Sequence, residues 1–315
     1  MTMVDPVACP ATHRLLEALL ALWPDHRRYL EASFALRSPE ALAATERTAA
    51  LVERLAGPEL PRYCEDYRFK CRLVQMEELH FRRTGHYRLS SFAQAKAEVY
   101  DNGPFMERYL NGILMTHIFW SNHAAVMHGY QTVFLPGNAP DYRHLEVGPG
   151  HGLLLHYAAS DPRCAQATGW DISDASLAAT AASLRLFGGA EHRVSLVKRD
   201  LFAADGNEER FDSIVISEVL EHLETPGQAL ALLARRLTPE GRMFIHVPVN
   251  GPSPDHIYLL RSPEEVTELV TSAGLRPLLA WIIPGTGYDE ARARKEALML
   301  SCVVIAGPGD AAINI

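Results

Sequence analysis

The sequence predicts an α/β fold in which a mainly parallel sheet carries helices on both faces and follows an all-helical N-terminal part. From residue 11 to about residue 133, apolar residues recur at spacings of three and four, and no stretch alternates as a strand does. After Pro140, short apolar runs alternate with amphipathic stretches. Strands that alternate with helices form parallel sheets with right-handed crossovers, which gives the fold class.

Capping and helix-breaking residues mark the helices of the first part. Ser38-Pro39 has the pattern of an N-cap followed by Pro at the first helical position, and Gly57-Pro58 ends that helix. Further helices are predicted over about 61–83, over a shorter segment after Ser90-Ser91, and as one continuous helix over about 104–128.

The continuous helix is rich in aromatic and histidine side chains: Tyr109, His117, Trp120, Asn122, His123 and His128. Such residues at this spacing are typical of a packed core. The functional alternative is a helix that covers a cofactor and lines an acceptor pocket. A cationic stretch over 62–88 has two similar readings, a solvated helix face or a lid over an acidic substrate.

The second part contains seven apolar runs that we predict as strands: His144–Val147, Ala165–Trp170, Val194–Val197, Phe211–Ile216, Arg242–Val247, Pro277–Ile283 and Leu298–Ile305. Helices are predicted after the first strand and over Ser173–Leu186, Pro226–Leu237 and Pro263–Ala273. A turn at Pro239–Gly241 precedes the fifth strand. The short polar link between the last two runs favours a closing antiparallel hairpin.

Composition excludes several classes of protein. The net charge of −8 over 315 residues argues against nucleic acid as the main partner. The five cysteines are odd in number and form no C-x-x-C pair, so we expect reduced thiols and no zinc site. Acidic residues at Asp5 and Glu17 fit neither a signal peptide nor a membrane span, and we expect a cytoplasmic protein.

A glycine-rich loop follows the first predicted strand, in the sequence Glu146-Val-Gly-Pro-Gly-His-Gly152. A loop of this kind between a strand and a helix lets the backbone approach a ligand closely. Its G-x-G-x-G spacing differs from the G-x-G-x-x-G of dinucleotide-binding enzymes. Asp171 ends the second strand, where a carboxylate accepts from ribose hydroxyls, and Asp200 after the third strand is placed to accept from an adenine amino group.

Five segments, in order, resemble the successive motifs of the class I S-adenosylmethionine-dependent methyltransferases: Glu146–Gly152, Trp170–Ser173, Arg199–Leu201, Phe211–Leu223 and Leu237–Arg242. The resemblance covers about residues 141–306. It implies a Rossmann-like, seven-stranded sheet with one reversed strand and S-adenosyl-L-methionine as cofactor. The helical first part resembles no family, and the change of pattern near Pro140 predicts two domains. We expect a helical cap over residues 1–140 that selects the substrate and a cofactor-binding domain over residues 141–315.

The resemblance also implies which residues contact the cofactor. The expected contacts are Glu146, Gly148, Gly150, Gly152, Asp171, Ile172, Asp200, Leu201 and Glu218.

Candidate catalytic residues follow the fourth and fifth strands. Glu218, Glu221 and His222 have helical spacing, so one turn would place them on one face. His256 lies in the loop after the fifth strand and is the first candidate for a general base, followed by His222 and then Glu221, because an imidazole titrates near neutral pH. As an alternative, these four side chains hold a divalent metal, as in small-RNA 2′-O-methyltransferases and some ubiquinone-pathway O-methyltransferases, which the set resembles.

The leading functional hypothesis is methyl transfer to an O or N atom of a small-molecule metabolite. A second hypothesis is an aminocarboxypropyl transferase or cyclase that consumes the same cofactor and releases methylthioadenosine. A non-catalytic partner subunit with the cofactor fold is a third, but the glycine loop and Asp171 are intact. RNA methylation is disfavoured by the acidic charge. No membrane partner is expected, and a homodimer formed through the helical part is an open alternative.

Overall fold

A computed structural model describes residues 3–203 and 209–309 of the chain. These residues divide into two compact units that interleave in sequence. The helical unit comprises the chain up to Gly129 together with Gly251–Leu259 and Ile283–Ser301. The sheet unit comprises Tyr130–Asn250, Leu260–Ile282 and the chain from Cys302. Two segments that follow residue 140 therefore belong to the helical unit.

Seven helices form the first part of the helical unit: α1 (Pro10–Leu22), α2 (Arg27–Ala35), α3 (Pro39–Ala56), α4 (Leu60–Thr84), α5 (Phe92–Ala95), α6 (Gly103–Phe119) and α7 (Ser121–Gly129). Ser38 caps α3 by accepting a hydrogen bond from the amide of Ala41 at 3.2 Å. Gly57, with φ of +48°, ends this helix, and left-handed Gly85 ends α4. The predicted helices over 38–56 and 61–83 are thus confirmed.

The prediction of one continuous helix over 104–128 is wrong, because the chain breaks at Trp120. This residue is extended (φ −92°, ψ 130°) and separates α6 from α7. Its indole N–H donates to the hydroxyl of Tyr67 at 3.2 Å. Across the break, Oγ1 of Thr116 lies 2.8 Å from Nδ1 of His123. Apolar periodicity does not report such tertiary partners, which override local helix propensity.

Close packing between α4 and α6 organises the helical unit. Gly112 of α6 lies where a Cβ atom would be 2.6 Å from the carbonyl oxygen of Asp66 and 2.6 Å from Cβ of Lys70. The Asp66 carboxylate is buried and accepts from Nε of Arg108 at 2.9 Å and from Nδ2 of Asn111 at 3.0 Å. A buried charge requires such partners, and here both come from α6.

Seven strands form one sheet among the described residues: β1 (Tyr142–Val147), β2 (Cys164–Asp171), β3 (Val194–Lys198), β4 (Phe211–Ser217), β5 (Leu237–Val249), β6 (Leu275–Pro284) and β7 (Leu300–Pro308). Their order is β3-β2-β1-β4-β5-β7-β6, and the β1–β2, β2–β3, β1–β4 and β4–β5 pairs are parallel. From the β1–β4 pair, successive strands are added in opposite directions across the sheet. The carboxyl ends of β1 and β4 therefore border the crevice where such sheets bind ligands.

Helices α8 (Leu153–Ser160), α9 (Asp174–Phe187), α10 (Pro226–Ala234) and α11 (Pro263–Ser272) complete the sheet unit. The link between β6 and β7 contains α12 (Glu290–Glu296), which belongs to the helical unit and replaces the predicted short polar link. The α/β class and the mainly parallel sheet that the sequence predicts are confirmed.

The fifth strand differs from its prediction at its start. The predicted turn at Pro239–Gly241 lies inside β5, which begins at Leu237. Along β4, Phe211 pairs with Leu237 and Ser213 with Arg242, so the longer stretch of β5 bulges between the two pairs. A bulge inserts residues without ending the strand, and this explains why a turn-like sequence remains part of it.

Two expectations from composition also concern the described residues. All five cysteines lie among the described residues, where each is buried and none forms a disulfide. No helix in residues 3–203 and 209–309 is both long and apolar enough to span a bilayer.

The packing of α4 on α6 generates a stability prediction. We expect Gly112→Ala to lower the free energy of unfolding by about 1–3 kcal/mol, because the new Cβ overlaps backbone and stem atoms that cannot rotate away. Gly103→Ala, in the same helix, meets nothing within 4 Å and should be neutral or slightly stabilising. Urea unfolding followed by circular dichroism measures both, and equal midpoints for the two variants would contradict the packing argument.

Candidate functional site

The loop between β1 and α8 depends on glycine for its conformation. Gly148, Gly150 and Gly152 have φ values of +67°, +52° and +74°, all in the left-handed region that a Cβ atom disfavours. A Cβ on Gly148 would also lie 2.8 Å from Cγ2 of Val219, whereas a Cβ on Gly150 would meet nothing within 4 Å. Val219 therefore covers the backbone at Gly148, whereas the backbone at Gly150 faces open space that a ligand can occupy.

Hydrogen bonds from neighbouring elements fix this loop. The amide of Gly148 donates to the carbonyl oxygen of Trp170 at 2.8 Å. Thr180 of α9 donates from Oγ1 to the carbonyl oxygen of Gly150 at 2.7 Å. The loop is thus preorganised at the N-terminus of α8, where amide groups and the helix dipole favour a ligand with acceptor or anionic groups.

Glu146 of β1 is a buried carboxyl directly before the loop. Its side chain is 3% exposed, and Oε2 has no hydrogen-bond partner among the described residues. Burial raises the pKa of Glu146 well above its ordinary value of 4.5. An orphaned buried acceptor beside an open glycine loop fits a ligand that brings N–H donors, and the amino acid part of S-adenosylmethionine carries an amino group.

Asp171 ends β2 with its carboxylate held in place by its own chain. The amide of Ser173 donates to Oδ1 at 2.8 Å and the hydroxyl of Ser176 donates to Oδ2 at 2.6 Å. A carboxylate has further acceptor sites beyond these two, which suits it to ribose hydroxyls. The adjacent Ile172 is 54% exposed and offers an apolar surface beside the carboxylate.

The adenine candidate Asp200 follows β3. It is exposed, and Oδ1 accepts from the amide of Phe202 at 2.9 Å, while Leu201 is half-buried. The chain over 204–208, directly after this turn, lies outside the described residues. The contacts assigned to Asp200 and Leu201 stay predictions.

Glu218 does not share a helical face with Glu221 and His222, and that part of the sequence prediction is wrong. Glu218 takes a left-handed conformation with φ of +54°, and only Leu220–His222 form a short 3-10 turn. Glu221 is fully buried, and its Oε1 lies 3.8 Å from Nε2 of His222. The departure has a tertiary cause, because the Glu218 amide donates to the carbonyl oxygen of His246 at 2.9 Å.

His246 is a site residue that the sequence reasoning missed. It is 3% exposed, with Nδ1 3.0 Å from the hydroxyl oxygen of Ser217 and Nε2 3.2 Å from Oε1 of Glu218. The sequence does contain an indication of this residue, because His246 is a polar side chain within the otherwise apolar second half of β5. His246 places an imidazole beside Ser217, the last residue of β4, with which it pairs across the sheet.

His256 lies in the segment Gly251–Leu259 of the helical unit, whereas Glu221 and His222 belong to the sheet unit. Nδ1 of His256 lies 2.7 Å from the carbonyl oxygen of Gly251. Since a carbonyl only accepts, the neutral ring carries its proton on Nδ1 and its lone pair on Nε2. This tautomer suits a base or a metal ligand, and both roles of His256 stay predictions.

A buried polar network anchors the same segment to α4 and α6. Nζ of Lys70 donates to the hydroxyl oxygens of Tyr109 and Ser253 at 2.9 and 2.8 Å. The Tyr109 hydroxyl donates to Oδ1 of Asp255 at 2.7 Å, and burial raises the pKa of Tyr109 well above 10. Sequence periodicity identified Tyr109 as a core residue but gave no sign of its contacts with Ser253 and Asp255, because these residues are 144 and 146 positions away along the chain.

The buried Glu146 gives a pH-dependent prediction. In the unfolded chain the carboxyl ionises near its ordinary pKa of 4.5, whereas the folded, ligand-free protein favours the neutral form. Wild-type stability therefore falls as the pH rises above the unfolded value. Glu146→Gln keeps the shape without the charge, so its free energy of unfolding should exceed that of the wild type by a margin that widens from pH 4 to pH 7.

Urea unfolding of both proteins at a series of pH values measures this margin. Asp174→Asn is the control, because Asp174 is exposed and pairs with Lys198 at the surface. A margin for Glu146→Gln that stays constant with pH would contradict the burial argument.

Comparison with known proteins agrees with this geometry. The methyltransferase domain family matches residues 145–243. A ubiquinone biosynthesis O-methyltransferase of Alkalilimnicola ehrlichii is 31% identical over 137 residues, which are 42% of this chain and 52% of that protein. An uncharacterized protein of Synechococcus sp. is 31% identical over 160 residues, which are 50% of this chain and 37% of that protein. The chain thus spans about half or less of the length of these relatives.

Among solved structures, mitomycin 7-O-methyltransferase has a TM-score of 0.51 at 15% identity, over 86% of this chain and 74% of that chain. This similarity is one of fold alone. At 86% coverage it extends over sheet and helical elements of the chain. The family match begins at β1 and includes the glycine loop, Asp171, Asp200 and Glu218. Residues 145–243 thus form part of a class I S-adenosylmethionine-dependent methyltransferase domain, and S-adenosylmethionine is the cofactor of that domain.

Proposed function

We propose that this protein transfers a methyl group from S-adenosylmethionine to an O or N atom of a small-molecule metabolite. The observation that supports this most strongly is the left-handed glycine loop beside the orphaned carboxyl of Glu146. When bound, the cofactor supplies an electrophilic methyl group on a sulfonium. Transfer is an in-line displacement, so the protein contributes mainly by holding the donor and the acceptor in line.

The chain's residues divide the work of holding the cofactor. Glu146 and the loop glycines would bind its amino acid part, Asp171 its ribose, and Ile172, Asp200 and Leu201 its adenine, with Glu218 at the end of β4. An acceptor hydroxyl must lose a proton during transfer, and His256 is the proposed base because its neutral tautomer leaves the lone pair on Nε2. His222 and Glu221 are the further candidates.

The proposed substrate class rests on charge and on similarity. A net charge of −8 disfavours nucleic acid as the acceptor. The Alkalilimnicola relative, named for O-methylation in ubiquinone biosynthesis, supports a small-molecule hydroxyl acceptor. A cytoplasmic location and a homodimer stay predictions, as does a divalent metal held by Glu218, Glu221, His222 and His256.

Product analysis tests the proposed reaction. The protein is incubated with methyl-labelled S-adenosylmethionine and a panel of phenols, catechols and amines, and the nucleoside products are separated by chromatography. We expect adenosylhomocysteine and a labelled acceptor for at least one class. Methylthioadenosine, formed with or without an acceptor, would instead identify aminocarboxypropyl transfer or cyclisation.

The same assay tests the proposed base. With a hydroxyl acceptor, His256→Ala should lower kcat by about 100-fold or more while cofactor binding is retained, because proton removal contributes about that factor. A parallel reaction after dialysis against a chelator tests the metal hypothesis. Unchanged turnover of His256→Ala would remove His256 from the mechanism, and loss of turnover on chelation would favour the metal.

A further inference from the structure

Glu218 occupies a strained position beside the glycine loop. Its φ of +54° lies in the left-handed region, which is unfavourable for a residue with a Cβ atom. Strand β1 pairs with β4 through Val147 and Ile216, so both chains leave the sheet side by side at this point. The neighbouring Val219 is the side chain that a Cβ on Gly148 would meet at 2.8 Å. Glu218 therefore emerges at the cofactor edge of the sheet.

The conformation of Glu218 is held by His246 through two contacts. The backbone amide of Glu218 donates to the His246 carbonyl oxygen at 2.9 Å, and the Glu218 carboxylate lies 3.2 Å from Nε2. Nδ1 of His246 is 3.0 Å from the hydroxyl of Ser217. Because a carboxylate only accepts, the tautomer with its proton on Nε2 attracts Glu218, and Ser217 then donates to Nδ1.

The Glu218 side chain is only partly accessible, which matters for its electrostatic effect. It is 32% exposed, whereas His246 is 3% exposed and fixed within β5. A carboxylate in this environment is screened less than one on an open surface. Backbone strain retained at a strand end beside a ligand loop is typical of functional positions. The arrangement keeps one negative charge where the two parallel strands end at the cofactor loop.

We propose that Glu218 is the residue that distinguishes the sulfonium of S-adenosylmethionine from the uncharged thioether of adenosylhomocysteine, and that His246 is its positioning residue. The inference rests on the proposed function, because it requires the cofactor to bind at this strand end. The sulfonium carries one positive charge that the product lacks. A fixed carboxylate therefore stabilises the bound cofactor and leaves the bound product unaffected, which favours product release after transfer.

Titration calorimetry with the two ligands separately tests this proposal without any acceptor. In chelator-containing buffer, Glu218→Gln should weaken S-adenosylmethionine binding by roughly tenfold and leave the Kd of adenosylhomocysteine within twofold of wild type. Glu218→Gly removes the same charge and tolerates the positive φ, so it should fold and show the same selective loss. Glu240→Gln removes an exposed charge near the amino end of β5, and this end is opposite to the strand ends that border the cofactor loop. The variant should change neither Kd.

The positioning role of His246 is tested by a pair of variants. His246→Phe should lose part of the selectivity for the sulfonium, and His246→Gln, whose amide N–H can donate to Glu218, should recover it. A parallel loss of affinity for both ligands in the Glu218 variants, or no loss at all, would overturn the proposal. If the wild-type protein binds neither ligand, the proposed function fails instead.

Discussion

The structure depends on a backbone constraint at one place, the left-handed turn through Gly148, Gly150 and Gly152. Only glycine takes these φ values without strain, and at Gly148 only glycine also leaves room for Val219. The turn ends β1, starts α8, and receives hydrogen bonds from β2 and α9. The neighbouring strands thereby present Glu146, Asp171 and Glu218 around one short loop.

The sheet unit also retains unfavourable features that function explains better than stability does. A carboxyl with an orphaned oxygen is buried at Glu146, and a non-glycine residue is left-handed at Glu218. Each feature opposes folding, because burial disfavours a charge and a Cβ disfavours positive φ. Both lie at the carboxyl ends of β1 and β4, where parallel sheets bind their ligands. The amino group of S-adenosylmethionine would supply the orphaned oxygen of Glu146 with a donor, and its sulfonium would attract the carboxylate that the strained backbone of Glu218 presents.

Much of the fold and the cofactor loop could be predicted, since they follow from local patterns. Apolar runs predicted the strands, and glycine spacing with Asp171 predicted the cofactor and a candidate site for it. The break at Trp120, the bulge in β5 and the backbone of Glu218 could not be predicted, because tertiary contacts such as those from Tyr67 and His246 decide them. The anchoring of Gly251–Leu259 by Lys70 and Tyr109 was equally hidden, since those partners are distant in sequence.

A crystal structure of the protein with adenosylhomocysteine is the most direct measurement of the central claim, that the glycine loop is the cofactor site. We expect the amino acid part of the ligand to lie beside Glu146 and Gly150, with its amino nitrogen donating to the orphaned Oε2. The ribose hydroxyls should lie within hydrogen-bond distance of Asp171. Ligand density elsewhere on the protein, or a loop that keeps its amides and Glu146 away from the ligand, would contradict it.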